Sequence, residues 1–166
     1  SKKLRVLVMP EGITDEIHLF LNFCRMNPNK KIEFTFRLHP IFFKNKIINK
    51  QIKKIGGNVK ISKNKLEYDI KNNAYLLYRG TGAVMNAVNS GLIPIYLHKK
   101  NQVSLDPFFE VNKNHIVEYN NSLLEFIIKN LDKKNFKQEI IKIKKFSKTF
   151  YDKPKFKELL KFIKKN

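Results

Sequence analysis

Apolar residues along this chain switch repeatedly between short continuous runs and helical spacing. Leu4–Met9 is an apolar run interrupted only by Arg5 and closed by Pro10-Glu11-Gly12, which predicts a buried strand followed by a loop. Thr14 is placed to cap a helix over Asp15–Met26, and Asp15 and Glu16 in its first turn suit the helix dipole. Asn27-Pro28-Asn29 stops that helix. Lys31–Leu38 alternates and predicts a second strand, closed by His39-Pro40. A helix over Asn45–Ile55 with Gly56-Gly57 as its stop, a brief strand over Val59–Ser62 and a short helix over Asn64–Asn72 follow. Ala74–Tyr78 is a fourth strand, Ala83–Asn89 a helix of small and apolar residues, Ile93–Leu97 a fifth strand, and His115–Glu118 a sixth.

Strands alternating with helices at this spacing predict an α/β fold. The expected sheet is parallel, with about six strands and helices on both faces. Residues 1–120 form the core. Residues 121–166 are expected as C-terminal helices packed on the same domain, with Leu123, Phe126 and Ile127, then Phe136, Ile140, Ile143, Ser147 and Phe150, then Phe156, Leu159, Leu160 and Ile163 on their apolar faces. No internal repeat or flexible linker interrupts the chain.

Composition changes this picture in one respect. The 166 residues carry a formal net charge of +20, which ordinarily points to a polyanion or an anionic membrane. That charge consists of 30 Lys but only four Arg, alongside 19 Asn and 19 Ile. Lys, Asn and Ile share A/T-rich codons, so a biased genome yields the same profile without selection for binding. The lysines are dispersed and no RNP-like aromatic-basic motif is present, so no specific nucleic-acid partner is expected. The rarity of Arg makes Arg37 and Arg79 the more informative cations, because Arg persists where planar recognition of an anion is needed. The single Cys24 excludes an intrachain disulfide and is compatible with a reducing cytoplasm. No run is long and apolar enough for a transmembrane helix, and the first ten residues do not form a signal peptide.

In an open parallel sheet, ligands bind beyond the carboxyl ends of the strands. Three clusters are expected there: Pro10-Glu11-Gly12, Arg37-Leu38-His39-Pro40 and Arg79-Gly80-Thr81-Gly82. Gly80 and Gly82 would let the backbone approach a phosphate, Thr81 offers a hydroxyl, and the next helix offers free N–H groups. The same glycines also serve a tight strand-to-helix turn. The segment is neither a Walker A loop nor a GxGxxG turn. His39, held extended by Pro40, is placed to act as an acid or to donate to a leaving phosphate; it also reads as a structural strand end. Glu11 is a candidate base or an acceptor from a sugar hydroxyl, or a solvated loop carboxylate. Asp106-Pro107 reads as a turn. His18, His98 and His115 show no metal-ligand spacing with one another or with Cys24, so no metal is expected.

The order RLHP, then about 40 residues, then YRGTGAVMNAVNSGLIPIYL resembles the C-terminal donor-binding domain of GT-B glycosyltransferases. It resembles most the bacterial surface-polysaccharide enzymes with an HP motif, namely the sialyl- and polysialyltransferase-like proteins and the CDP-glycerol glycerophosphotransferases. The resemblance runs from about Lys3 to Glu118 and implies a Rossmann-like half of a two-domain enzyme. It implies phosphate contacts from His39 and from Thr81 with its neighbours, and places Asn86 where many such enzymes carry a ribose-binding Glu. Catalytic roles are expected of His39 and Glu11, and donor-binding roles of Gly12, Arg37, Arg79, Gly80, Thr81, Gly82 and Asn86. The expected donor is a nucleotide-activated group of the CMP/CDP or UDP type, with no other cofactor. The expected partners are that donor and an N-terminal acceptor domain outside this sequence, without which the isolated domain is expected to be inactive. A peripheral contact with the inner face of the membrane is a further expectation, because Ser122–Asn166 interleaves apolar stripes with lysines; packing of those stripes on the sheet is the competing reading. The alternative to a transferase domain is a basic nucleic-acid- or membrane-surface-binding module without catalysis.

Overall fold

The computed structural model describes residues 3–80, 82–111 and 113–150. Its six strands form one all-parallel sheet: β1 (Leu4–Met9), β2 (Ile32–Phe36), β3 (Val59–Ile61), β4 (Tyr75–Tyr78), β5 (Ile93–His98) and β6 (Ile116–Glu118), in the spatial order β3-β2-β1-β4-β5-β6. The expected α/β class and six-stranded Rossmann-like sheet are what the chain forms. The helices are α1 (Thr14–Met26), α2 (Lys46–Ile55), α3 (Leu66–Asn72), α4 (Val84–Asn89), α5 (Leu123–Leu131) and α6 (Lys134–Phe150).

Alternation along β1 explains how one strand serves two cores. Val6 and Val8 face one side, with Phe20 and Phe23 of α1, Ile48 and Ile52 of α2, and Leu123 and Ile127 of α5. Leu7 and Met9 face the other, with Ile70 of α3, Val84 and Val88 of α4, and Phe136, Ile140 and Ile143 of α6. The central strands are buried on both faces and therefore read as continuous apolar runs. Leu123 and Ile127 of α5 and Phe136, Ile140 and Ile143 of α6 pack on this sheet, whereas Phe150 at the end of the α6 stripe is exposed. The third stripe, Phe156 to Ile163, lies outside the described residues.

Local chemistry sets the element ends, with two departures from expectation. Ser122 caps α5 through the Glu125 N–H, and Asn45 caps α2 through the Ile48 N–H. Gly56, at φ 75°, ends α2 in a backbone conformation that favours glycine. Thr14 does not cap α1: the cap position is Ile13, with no side-chain hydrogen bond. Beyond β2, Pro40 opens a 3₁₀ turn over Pro40–Phe42, which the sequence reading did not foresee.

Candidate functional site

The strand order reverses direction between β1 and β4. β1 connects outward to β2 and β3, whereas β4 connects outward to β5 and β6. The carboxyl ends of these two neighbours diverge there and leave the crevice at which parallel α/β sheets bind ligands. The Pro10–Ile13 loop leaves one strand and the turn beginning at Arg79 leaves the other.

Four of the expected residues meet at this crevice. A Cβ placed on Gly12 would lie 3.3 Å from His39 Nδ1 and 3.4 Å from its Cγ, so the imidazole rests directly against the Gly12 backbone. A Cβ on Gly80 would lie 3.1 Å from Glu11 Oε1 and 2.9 Å from Leu105 Cβ. Gly80 is thus closed in by the loop after β5 on one side and the Glu11 carboxylate on the other. The close approach of Leu105 requires the glycine at Gly80. His39 is exposed, and its Nδ1 accepts the Ile41 N–H at 3.4 Å. In the neutral ring the proton is then assigned to Nε2, which leaves that nitrogen as a donor.

The other expected residues are placed differently. Arg79 is only 5 % exposed. Its guanidinium donates to Leu97 O at 2.8 Å and Val103 O at 3.4 Å, and lies over the Tyr96 ring. Its N–H groups therefore hold β5 and the loop after it, and its charge faces the Glu16 carboxylate. Arg37 points away from the crevice and donates to Asp69 Oδ2 at 2.8 Å and Asn64 O at 2.7 Å. Asp69 is buried and also accepts from the Ser62 hydroxyl, so Arg37 ties β2 to α3. Asn86 is exposed on the six-residue α4. A Cβ at Gly82 would meet nothing within 4 Å. Thr81 lies outside the described residues.

Glu16, read from sequence as a dipole partner, has a second task. It is 8 % exposed, and its Oε2 folds back to accept the Glu11 N–H. Its Oε1 has no hydrogen bond and lies 3.6 Å from Arg79 Nε. The bond from the Glu11 N–H fixes the loop that carries Glu11 and Gly12 without capping the helix. Burial pushes the Glu16 carboxyl above its usual range and the nearby Glu11 charge adds to this. The Glu11 N–H and Arg79 pull the other way.

Sequence reasoning missed a buried cluster beside the crevice. His115, 1 % exposed, places Nε2 2.7 Å from Asp106 Oδ2 and bonds through Nδ1 to Glu139 Oε1. Asp106 Oδ1 accepts the Tyr78 hydroxyl at 2.8 Å and the Phe108 N–H at 3.0 Å. Glu139 Oε2 accepts both the backbone and side-chain N–H of Asn114. Burial alone would lower the His115 pKa. Its hydrogen bonds and charge pairing with Asp106 and Glu139 outweigh that and hold it at about 9. Burial raises the Glu139 carboxyl, but the bonds from His115 and Asn114 bring it below its usual value. Asp106 is more than the expected turn residue, because this clamp joins β4, the loop after β5, and α6.

No protein-family model matches the chain, and no curated protein matches it in sequence. Its fold is similar to those of solved glycosyltransferases. The catalytic domain of cholesterol-α-glucosyltransferase from Helicobacter pylori superposes with TM-score 0.56 at 14% identity, over 87% of this chain and 97% of that one. The spinosyn rhamnosyltransferase SpnG gives 0.58 at 13% identity, over 99% of this chain and 45% of that one. The glycosyltransferase SnogD from Streptomyces nogalater gives 0.55 at 9% identity, over 89% and 40%. The chain therefore spans nearly all of the first of these and less than half of the other two.

Proposed function

We propose that this chain is the donor-binding half of a transferase that uses a nucleotide-activated donor in bacterial surface-carbohydrate synthesis. The observation that carries the reading is the convergence of Glu11, Gly12, His39 and Gly80 at the crevice between β1 and β4. An exposed imidazole donor and a carboxylate at one strand-end crevice are groups suited to a nucleotide phosphate and its attached sugar or polyol. The glycosyltransferase-like fold agrees with this reading. The chain covers less than half of two such enzymes and nearly all of a third, and in this reading the acceptor is bound by a further domain.

In this reading Gly12 and Gly80 let His39, Glu11 and Leu105 pack close around the two strand-end loops, and the phosphates lie against the His39 side of that rim. The 13-residue α1 begins without a side-chain cap and directs its positive end at the same place. His39 Nε2 donates to a phosphate oxygen. As the bond from that phosphate to the transferred group breaks, negative charge grows on the leaving nucleotide, and the His39 proton and the buried Arg79 charge stabilise it. Glu11 accepts from a donor hydroxyl or takes the proton from the acceptor hydroxyl. Arg37, through Asp69, positions the end of β2 from which His39 extends. Thr81, Gly82 and Asn86 complete the donor contacts from the β4–α4 side.

Calorimetric titration with CMP, CDP and UDP compounds tests this. Binding of at least one in the millimolar range or tighter is expected, lost on His39→Ala. Absence of binding by all three to the folded protein carrying both domains refutes it.

A further inference from the structure

From residue 34 to residue 66 the chain has nine Lys and Arg and no Asp or Glu. The other long acid-free stretch, residues 70–105, has only four cations. Dispersed lysines reflect composition, but the exclusion of acids from the most lysine-rich half of the sheet is a local feature. The fold gathers this segment onto one surface. α2 and the edge strand β3 border an open groove of about 940 Å³, lined by seven lysines and no acidic residue. Of these, only Lys60 has an ion partner among the described residues, Glu33 at 2.6 Å. By contrast, the grooves floored by Thr35 and bordered by Asn121 include Glu33 and Asp69, and Glu125, respectively.

Large apolar side chains project beside these cations. Ile47, in the first turn of α2 between Lys46 and Lys50, is 70% exposed. Phe43, which also lines the groove, is 51% exposed. On α2 itself Ile48 and Ile52 face the core, so Ile47 is an apolar residue on the charged side of the helix.

We propose that the α2–β3 groove is a docking surface for an anionic lipid bilayer. Lysines spread over a face attract a negatively charged surface without needing a fixed partner geometry. Exposed Ile and Phe among them add apolar burial once the face reaches the acyl boundary. A nucleic acid fits less well, because the groove has no Arg fork and only one aromatic platform, Phe43. A second copy of the same face would bring seven lysines against seven. Guarding the edge of β3 against strand pairing would need only Lys60 on β3, not the lysines along α2. This inference does not depend on donor binding, and it assigns the membrane contact to a surface other than the C-terminal stripes.

The test is co-sedimentation of the full chain with vesicles of phosphatidylcholine alone or mixed with phosphatidylglycerol, at low and high salt. Binding to the anionic vesicles is expected to exceed binding to the neutral ones by about tenfold or more and to weaken with salt. The double reversal Lys50→Glu/Lys53→Glu on the exposed side of α2 is expected to lower it by a further factor of about ten. Lys142→Glu/Lys145→Glu on α6, an equal change in net charge, is expected to lower it less than about threefold. Ile47→Ser is expected to remove the part that survives high salt. Unchanged melting curves show that each variant is folded. No preference for anionic vesicles, or equal losses from the two double reversals, overturns the proposal. So does tighter binding of a single-stranded RNA oligonucleotide that is lost in the α2 variant.

Discussion

Protonation of His115 makes the stability of this protein fall as the solution becomes alkaline. An ordinary imidazole titrates at 6.5, whereas His115 between Asp106 and Glu139 titrates at about 9. The folded state therefore holds the proton more tightly than the unfolded chain, which contributes about 3 kcal/mol through linkage. The contribution is whole below pH 6.5, declines between 6.5 and 9, and is lost above that. In the middle of the window the slope approaches about 1.4 kcal/mol per pH unit, the value for one proton released on unfolding. Urea denaturation followed by far-ultraviolet circular dichroism at pH 6, 7, 8 and 9 measures it. The six Tyr and absence of Trp make tyrosine emission a second probe. His115→Asn is expected to remove the slope between pH 7 and 9 and to cost most at pH 6, where the lost cation leaves two buried carboxylates facing each other. Glu139→Gln keeps the Asp106 bond and is expected to reduce the slope without abolishing it. A flat wild-type profile over this range, or an unaltered slope in His115→Asn, refutes the reasoning.

Other outcomes follow from the crevice. Gly80→Ala drives a Cβ to 2.9 Å from Leu105 Cβ; a loss of about 1–3 kcal/mol is expected, recovered in part by Leu105→Gly, and thermal denaturation of the three variants decides it. Arg79→Met strands the buried Glu16 and frees the Leu97 and Val103 carbonyls, costing about 3 kcal/mol and accelerating amide exchange in residues 97–105; normal exchange with weakened nucleotide binding would instead make Arg79 a direct ligand. His39→Ala leaves stability within about 0.5 kcal/mol, because the ring is exposed and makes one long hydrogen bond, yet lowers donor affinity about tenfold or more. Calorimetry and a urea melt on the same sample separate those two effects.

The strands were legible in the sequence because a parallel strand buried on both faces needs a near-continuous apolar run, and VLVM within Leu4–Met9, AYLLY and IPIYL supply one. The rim clusters were legible because Gly, Pro and His interrupt those runs at their ends. The direction taken by the two arginines was not. Arg79 and Arg37 stand where anion ligands are expected, but whether a guanidinium turns outward or downward depends on acceptors 18 to 32 residues away, Leu97 O and Asp69. Thr14 does not take its expected cap role because α1 begins one residue earlier than the sequence suggests, at Thr14 itself, which puts Ile13 at the cap position. The Asp106–His115–Glu139 clamp has no motif, since its members lie on a loop, before a strand and on a helix. One signal was present: Glu139 falls within the apolar stripe between Phe136 and Ile143, and a carboxylate placed there requires a buried partner.

The position of β1 has a consequence for the order of assembly. It is the first strand of the described chain to be synthesised, yet it lies in the middle of the sheet, pairing Val6 with both Phe34 and Tyr75. While translation has passed β3 but not β4, a nascent β1–β2–β3 sheet has the apolar edge of β1 open to any passing strand. That edge closes only after some 70 residues have emerged, and β4, β5 and β6 then add outward one after another. The centre of the molecule, which also forms the floor of the proposed binding crevice, is thus its most aggregation-exposed surface during synthesis and its best-protected one afterwards.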